Sequence, residues 1–290
     1  MPEPTAQYAV IGGSGFYDLE ALSERESWTP TTPFGRPSDT ITIGAFEGKR
    51  VAFLPRHGVG HFLLPQEVPV RANIWALKRL GVQGIIAVSA VGSLREEIEP
   101  LHMVVPDQII DRTNHTRSTS FFGDGIVAHV GFADPFCTDL SRRLVEAGRA
   151  QGKTVHAGGA YLSMEGPLFS TRAESQLYRS WGAAIIGMTA IPEAKLAREA
   201  EMAYAMLATA TDYDVWHATE EDVSADLVLE RLAQNVETAR EIVGTVLRTL
   251  PAGWESTAKG ALENAIVTDP ARIPGRVKRD LAPIIGAYLS

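Results

Sequence analysis

The run Gly84-Ile85-Ile86-Ala87-Val88-Ser89-Ala90-Val91 constrains this chain more than any other stretch. It has the length of a strand, falls short of a membrane span, and is apolar on both faces apart from Ser89. Such a strand needs cover on both sides, which calls for helices above and below a sheet. The neighbouring runs fit that demand. Tyr8 to Ile11 reads as a strand ending in Gly12-Gly13-Ser14-Gly15, and Thr40 to Ala45 with Arg50 to Pro55 reads as a β pair turning at Glu47-Gly48-Lys49. Gln66 to Leu80 carries Val70, Ile74, Leu77 and Leu80 at helical spacing, and Thr138 to Gly152 is an amphipathic helix. Met103 to Ile110 reads as a strand interrupted by Pro106. Thr171 and Glu174 form a capping box opening a helix that runs to Trp181-Gly182. Strands Ala183 to Met188 and Ala203 to Thr211 flank a short helix that Pro192 starts at its first position. A long helix runs from about Glu221 to Leu250, with Leu229, Leu232, Val236, Ala239, Val243, Val246 and Leu250 on its apolar stripe. The alternation predicts an α/β fold, and without repeats, linkers or composition breaks residues 1–290 read as one domain.

Charge narrows the function classes. Lys and Arg number 27 against 35 Asp and Glu, a net charge of -8, which argues against a nucleic-acid platform or an anionic-membrane binder. An anion can still be bound, but only by local arrangement. The single cysteine, Cys137, makes no internal disulfide and fits a reducing compartment. The N-terminal MPEPTAQYAVIGGSG has neither a basic leader nor a long apolar core, so the expectation is a cytoplasmic protein without a membrane partner.

In open α/β sheets, chemistry collects where strands give way to polar residues and glycines. Five such places occur. Gly12-Gly13-Ser14-Gly15 is either a tight turn or an anion cradle, and it is neither GxGxxG nor a phosphate loop ending in GK[ST]. Arg56 and His57 follow a strand in a loop with two glycines, as a solvated pair or as donors to an oxyanion. His57 and His61 are four apart, but Gly58 and Gly60 disfavour the helix that would make them metal ligands. Ser89-Ala90-Val91-Gly92-Ser93 is a strand-end turn or a polar shelf. In the fourth segment, Met164 to Glu174, Phe169 offers a stacking face or a core side chain. Finally, Asp212 and Asp214 end an apolar strand, where an extended backbone would point both to one side and proximity would raise one pKa. Capping or plain solvation is the alternative, and Glu220, Glu221 and Asp222 read as helix-start acids.

Taken in order, GGSGF, TPFGRPSD, LPRHG, ANIWALK, VSAVGSLREE, DQIIDRT, MEGPLFSTRAE, MTAIPEAKLARE and ATDYDVW resemble the trimeric purine nucleoside phosphorylase family, most closely its S-methyl-5'-thioadenosine phosphorylase branch. The resemblance runs from about residue 8 to about residue 250 and fades over the last forty. It implies a single-domain nucleoside phosphorylase-like fold, a central mixed β-sheet flanked by helices, with a C-terminal helical tail over about 257–290. It implies phosphorolysis of an N-glycosidic bond, with inorganic phosphate as co-substrate and no cofactor or metal. The family's phosphate contacts fall on Ser14, Arg56, His57, Ser89, Ala90 through its backbone, and Thr189. Its base and sugar contacts fall on Phe169, Met188, Asp212 and Asp214, with Asp212 assisting departure of the purine through N7.

The same resemblance speaks to the branch. The 6-oxopurine enzymes carry Glu where this chain has Ser170 and Asn where it has Asp212. A carboxylate facing adenine N1 would be repelled, and Asp212 can accept from a 6-amino group, so both residues point to adenine. Ala225 stands in place of a histidine that binds the 5'-hydroxyl, and with Val228 and Leu229 it suits a methylthio group. Ala225 is smaller than the branch's usual valine and Leu168 replaces a common arginine, which leaves room for a broader 5'-substituent. His129 matches a residue given to the neighbouring subunit's site, so a homotrimer is expected. The competing reading is an S-methyl-5'-thioinosine or 6-oxopurine phosphorylase. Arg272, Arg276, Lys278 and Arg279 in the tail read as a solvated helix face or a lid.

Overall fold

Side-chain alternation along the strands sorts the apolar residues into two layers. The computed structural model describes residues 3–12, 22–114, 116–219 and 222–289. Strands β1 (Tyr8–Gly12), β2 (Ser23–Trp28), β3 (Ile41–Phe46) and β4 (Lys49–Pro55) precede helix α1 (Val70–Arg79) and the ten-residue β5 (Gly84–Ser93). Next come β6 (Met103–Val105), β7 (Gln108–Arg112), α2 (Thr138–Ala150), β8 (Val155–Ala157) and β9 (Ala160–Met164). Then follow α3 (Arg172–Ser180), β10 (Ala183–Gly187), α4 (Ala190–Glu199), β11 (Ala203–Asp212), α5 (Ala225–Thr249), α6 (Gly275–Asp280) and α7 (Ala282–Ile285).

Ile85, Ala87 and Val91 of β5 pack with α1, α4 and the C-terminal segment, whereas Ile86 and Val88 pack with α2 and α5. β11 splits the same way, with Met206 and Ala208 on the first face and Ala205 and Leu207 on the second. This is the period of two expected of strands covered on both faces. The fold is α/β, with a central mixed sheet flanked by helices.

The sheet runs β2-β3-β4-β1-β5-β10-β9-β7, with β11 along the other edge of β5 and β6 and β8 beyond it. β1 pairs in parallel with Gly84 to Ala87 of β5, and β10 pairs antiparallel with Gly92 and Ser93 on that same edge. Among the described residues, 88–91 therefore have no strand partner there, while β11 continues along the opposite edge as far as Gly92. The interruption exposes backbone polar groups that must be met by side chains or ligand.

Several boundaries differ from the sequence expectation. The helix expected over Gln66 to Leu80 starts at Val70, because Pro65 and Pro69 hold the preceding residues out of it. The strand expected over Met103 to Ile110 is two, β6 and β7, and Pro106 is the break. The helical segment is bounded from Ala190, but Ile191 is extended at φ -107° and ψ 128°, so Pro192 opens the regular part of the helix as expected. The long helix begins at Ala225, where Ser224 accepts from the N–H of Leu227. Only its later residues, from Asn235 through Ala239 to Leu247, are buried, and Leu229 is half exposed. Asp222 pairs with Arg172 and lies ahead of the helix rather than in its first turn; Glu220 and Glu221 lie outside the described residues. In the C-terminal segment, Ile273, Val277, Leu281, Ile284 and Ile285 join the core, and Asp280 accepts from Trp75 Nε1 at 2.8 Å. Of the tail's basic residues, Arg272, Arg276 and Arg279 are exposed and Lys278 is half-buried, and none borders the cavity described below. Among the described residues no helix is long and apolar enough to cross a membrane.

Candidate active site

A cavity of about 520 Å³ opens at the unpaired stretch of β5. Its walls bring together Arg56, His57, Ser89, Ala90, Thr189, Phe169, Met188, Asp212, Asp214, Ala225, Val228 and Leu229, residues drawn from six separate segments. Ser14 lies outside the described residues. Ser170 and His129 are not on the wall. Ser170 is buried behind it, its hydroxyl 3.9 Å from Met164 Sδ, and His129 is exposed and held by an N–H bond to the Ala265 carbonyl.

One end is polar. Ser89 and Thr189 join hydroxyls at 2.9 Å. Thr189 is the N-cap of α4, yet its side chain caps nothing and turns to Ser89 instead. Its N–H donates to Tyr161 Oη at 3.2 Å. Tyr161 reaches this point only because residue 187 is glycine: a Cβ there would run into the Tyr161 hydroxyl. Arg56, at the end of β4, is 2 % exposed and forks onto Glu193 of α4: Nε bonds Oε1, and Nη2 bonds Oε2 at 3.1 Å. Nη1 donates to the Val88 carbonyl at 3.0 Å, on the open edge of β5. Burial alone would weaken the arginine's proton affinity, but Glu193 outweighs it and holds the guanidinium above its ordinary value. Leaving either partner buried and alone would cost about 3–5 kcal/mol.

His57 is set for neutrality. Burial first, and then the Arg56 charge, push its pKa down to about 4. Its Nδ1 lies 2.9 Å from the Leu63 carbonyl, which can only accept, so Nδ1 carries the proton and Nε2 is left as an acceptor. The His61 ring stacks on His57, centroids 4.4 Å apart and 11° from parallel, instead of converging with it on a common point. Among the described residues no three His, Cys, Asp or Glu side chains form a set able to hold a metal.

The other polar group is the carboxyl pair closing β11. Asp212 Oδ2 accepts from the Thr211 hydroxyl at 2.7 Å, and Oδ1 accepts from the Asp214 N–H at 2.8 Å. Burial, with a smaller contribution from Asp214, raises the Asp212 pKa to about 6. The expectation that like charge would dominate is thus corrected: desolvation does most of it. The extended backbone assumed for the pair is also absent, since Asp214 sits at φ +52° and both carboxyls reach the cavity through a turn. Burial raises Asp214 too, opposed by the neighbouring hydroxyls of Ser175 and Ser170, although its Oδ2 completes no hydrogen bond among the described residues. Gly92 is required here for space: a Cβ would lie 2.9 Å from Asp212 Oδ1 and 3.0 Å from Ile186 Cγ2. Asp212 stands opposite Gly92, three residues beyond Ser89 along β5, a separation of roughly 10 Å. That is room for a sugar between an anion and a leaving base.

The remaining wall is apolar, formed by Ala225, Val228, Leu229 and Leu232 of α5 facing Phe62 and Leu64. The loop carrying Phe62 and Leu64 was not read from the sequence, nor were Glu193, Tyr161, Tyr204 and Thr211. For Glu193 a signal existed: it is the lone acid in the first turns of an apolar helix, and a buried arginine requires a counter-ion.

The model of the phosphorylase superfamily matches residues 7–248. S-methyl-5'-thioadenosine phosphorylase from Geobacter sulfurreducens is 55% identical over 280 residues, 97% of this chain and 98% of that protein. The enzyme of the same name from Chloroflexus aurantiacus is 54% identical over 286 residues, 99% of each. A methylthioadenosine phosphorylase from an Antarctic soil metagenomic library superposes with a TM-score of 0.92 at 48% identity, covering 97% of this chain and 99% of that one. The Schistosoma mansoni methylthioadenosine phosphorylase, solved in complex with adenine, gives 0.84 at 37% identity over 90% of this chain and 99% of its own. Matched over nearly its whole length in sequence and in structure, the chain belongs to the phosphorylase superfamily.

Proposed function

We infer that this chain is a pentosyltransferase that cleaves S-methyl-5'-thioadenosine with inorganic phosphate, releasing adenine and 5-methylthio-α-D-ribose 1-phosphate. The observation that carries the reading is the division of one cavity. A hydroxyl-and-guanidinium cradle lies at one end and a buried carboxyl with its pKa raised to about 6 lies some three strand residues away. The sequence identity to named methylthioadenosine phosphorylases supports the same substrate.

Phosphate is the nucleophile. Arg56, the paired hydroxyls of Ser89 and Thr189, and the Ala90 backbone on the unpaired edge of β5 hold it, with Ser14 as a further contact. The neutral His57 leaves Nε2 to accept from the O–H of monohydrogen phosphate. A dianion held near the anomeric carbon steadies the oxocarbenium character that develops as the base departs. Asp212 in its protonated form shares or gives a proton at N7, so that adenine leaves neutral and Asp212 is left as the carboxylate, while its other oxygen accepts from the 6-amino group. Asp214 fixes Asp212 through its backbone N–H. Phe169 and Met188 line the purine and ribose region. Ala225, Val228 and Leu229 receive the methylthio group, and Ser170, set back from the wall, puts no carboxylate opposite adenine N1.

No cofactor or metal enters this scheme. The working assembly is a homotrimer in the cytoplasm. In this assembly His129 serves a neighbour's site, a reading supported by its exposure away from its own chain's cavity. The cavity's lips also carry Phe62 at 63% and Leu229 at 51% exposure, apolar surface of the kind that subunit contact covers. Release of free purine from paired methylthio-nucleosides, with and without phosphate, tests the reading. Adenine release that requires phosphate is expected; faster release of hypoxanthine would favour the methylthioinosine reading instead. Asp212→Asn should lower kcat on the adenine nucleoside by about 10²–10⁴ and shift preference toward 6-oxopurines.

A further inference from the structure

The guanidinium of Arg56 is held by more acceptors than a phosphate-binding arginine would need for folding alone. Of its five N–H donors, two face Glu193 and one faces the Val88 carbonyl, which among the described residues leaves two for a ligand. Glu193 is itself 2 % exposed, and its Oε2 accepts a second hydrogen bond, from Tyr204 Oη at 2.9 Å. Four elements thus converge on one planar group: β4 supplies Arg56, α4 Glu193, β5 the Val88 carbonyl and β11 Tyr204. A bidentate pair fixes the plane of the fork as well as its position. Glu193 does not border the cavity.

We propose that Glu193, steadied by Tyr204, is a positioning residue for the phosphate co-substrate, setting the direction in which the two remaining N–H groups of Arg56 point. The proposal rests on the phosphorolytic reading given above. The buried pair also cancels the arginine's charge locally, and His57 is uncharged at neutral pH. The anion is therefore held by aimed donors more than by net charge, and aim becomes the sensitive quantity. An arginine on a free stem would find phosphate by attraction alone. This one cannot turn to meet it, so its donors have to be correctly placed beforehand.

The test measures KM separately for phosphate and nucleoside in wild type, Glu193→Gln and Tyr204→Phe. Glu193→Gln keeps the size of the side chain and one acceptor but loses the two-oxygen fork. Its expected effect is a rise of about 10-fold in phosphate KM, one misaligned charged hydrogen bond, with nucleoside KM within about 2-fold. Tyr204→Phe, which leaves the ion pair in place, should move phosphate KM in the same direction by a smaller factor and covers the case in which Glu193→Gln does not fold. An unchanged or lowered phosphate KM in folded Glu193→Gln, or a parallel rise in both KM values, would overturn the proposal. When Glu193→Gln does not fold, an unchanged phosphate KM in Tyr204→Phe overturns it as well. If wild type turns over without phosphate, the phosphorolytic reading fails first, and the two failures are told apart in the same assay.

Discussion

At the scale of single residues, the chemistry depends on Asp212 being buried beside another acid, a burial that outweighs the opposing charge of Arg231. Its pKa is raised from 3.8 to about 6, so the folded chain binds that proton more tightly than the unfolded chain does. The associated stability is fully present below about pH 3.8 and is lost as pH rises through about 6. Compared with Asp212→Asn, the wild type should therefore lose stability across this window, by at most about 3 kcal/mol, in urea midpoints measured from pH 4 to pH 8. A constant difference between the two across that range would mean that Asp212 ionises as freely as it does in water. The carboxyl pair was legible in the sequence as a pair following an apolar strand. Its geometry was not, because the left-handed turn at Asp214 and the hydroxyl of Thr211 decide which oxygen is committed to what. Glu193 went unread for a related reason. Its partner is 137 positions away, and an acid in a first helical turn is ordinarily explained by the helix dipole.

At the scale of elements, the capping box shows how local grammar holds the site's rim. Thr171 accepts from the Glu174 N–H while Glu174 takes the Thr171 N–H, so α3 starts at one fixed residue. The segment immediately before it carries Pro167 and Phe169 to the cavity. Thr171→Ala is expected to cost about 1 kcal/mol of stability and to raise nucleoside KM more than phosphate KM, since only the purine side loses its anchor. Thermal denaturation together with the two KM values checks this, and equal effects on both substrates would place Phe169 outside the purine contacts. Most strands and helices could be read from periodicity because propensity and burial agree in them. The misreadings occurred where proline intervened, before α1 and between β6 and β7. They also occurred at the start of α5, whose apolar residues face the cavity and not the core. A stripe that lines a ligand pocket looks the same in sequence as one that packs on a sheet.

For the whole molecule, the net charge of -8 describes solubility and says nothing of the site, whose anion-binding groups are paired or uncharged. The proposed homotrimer, in which His129 serves a neighbour's site, is a statement about the assembly and is tested there. Sedimentation at micromolar concentration should return three chain masses, and activity per chain should fall on dilution below the dissociation constant of the trimer. A monomer with undiminished turnover would remove His129 from the site.

The gap between β1 and β10 along β5 carries one more consequence. Its ends are hydrogen-bonded ladders, so its length is counted in residues and cannot be adjusted by fractions. A shift of one residue would turn every inward side chain outward, which leaves no small step by which the spacing could drift. The distance from anion to departing base is therefore frozen by the backbone, while the far wall, built from side chains of one helix and one loop, is free to change. A scaffold of this kind can acquire a taste for a different sugar substituent by point substitution, yet a longer reach between its two reactive ends would require rebuilding the sheet.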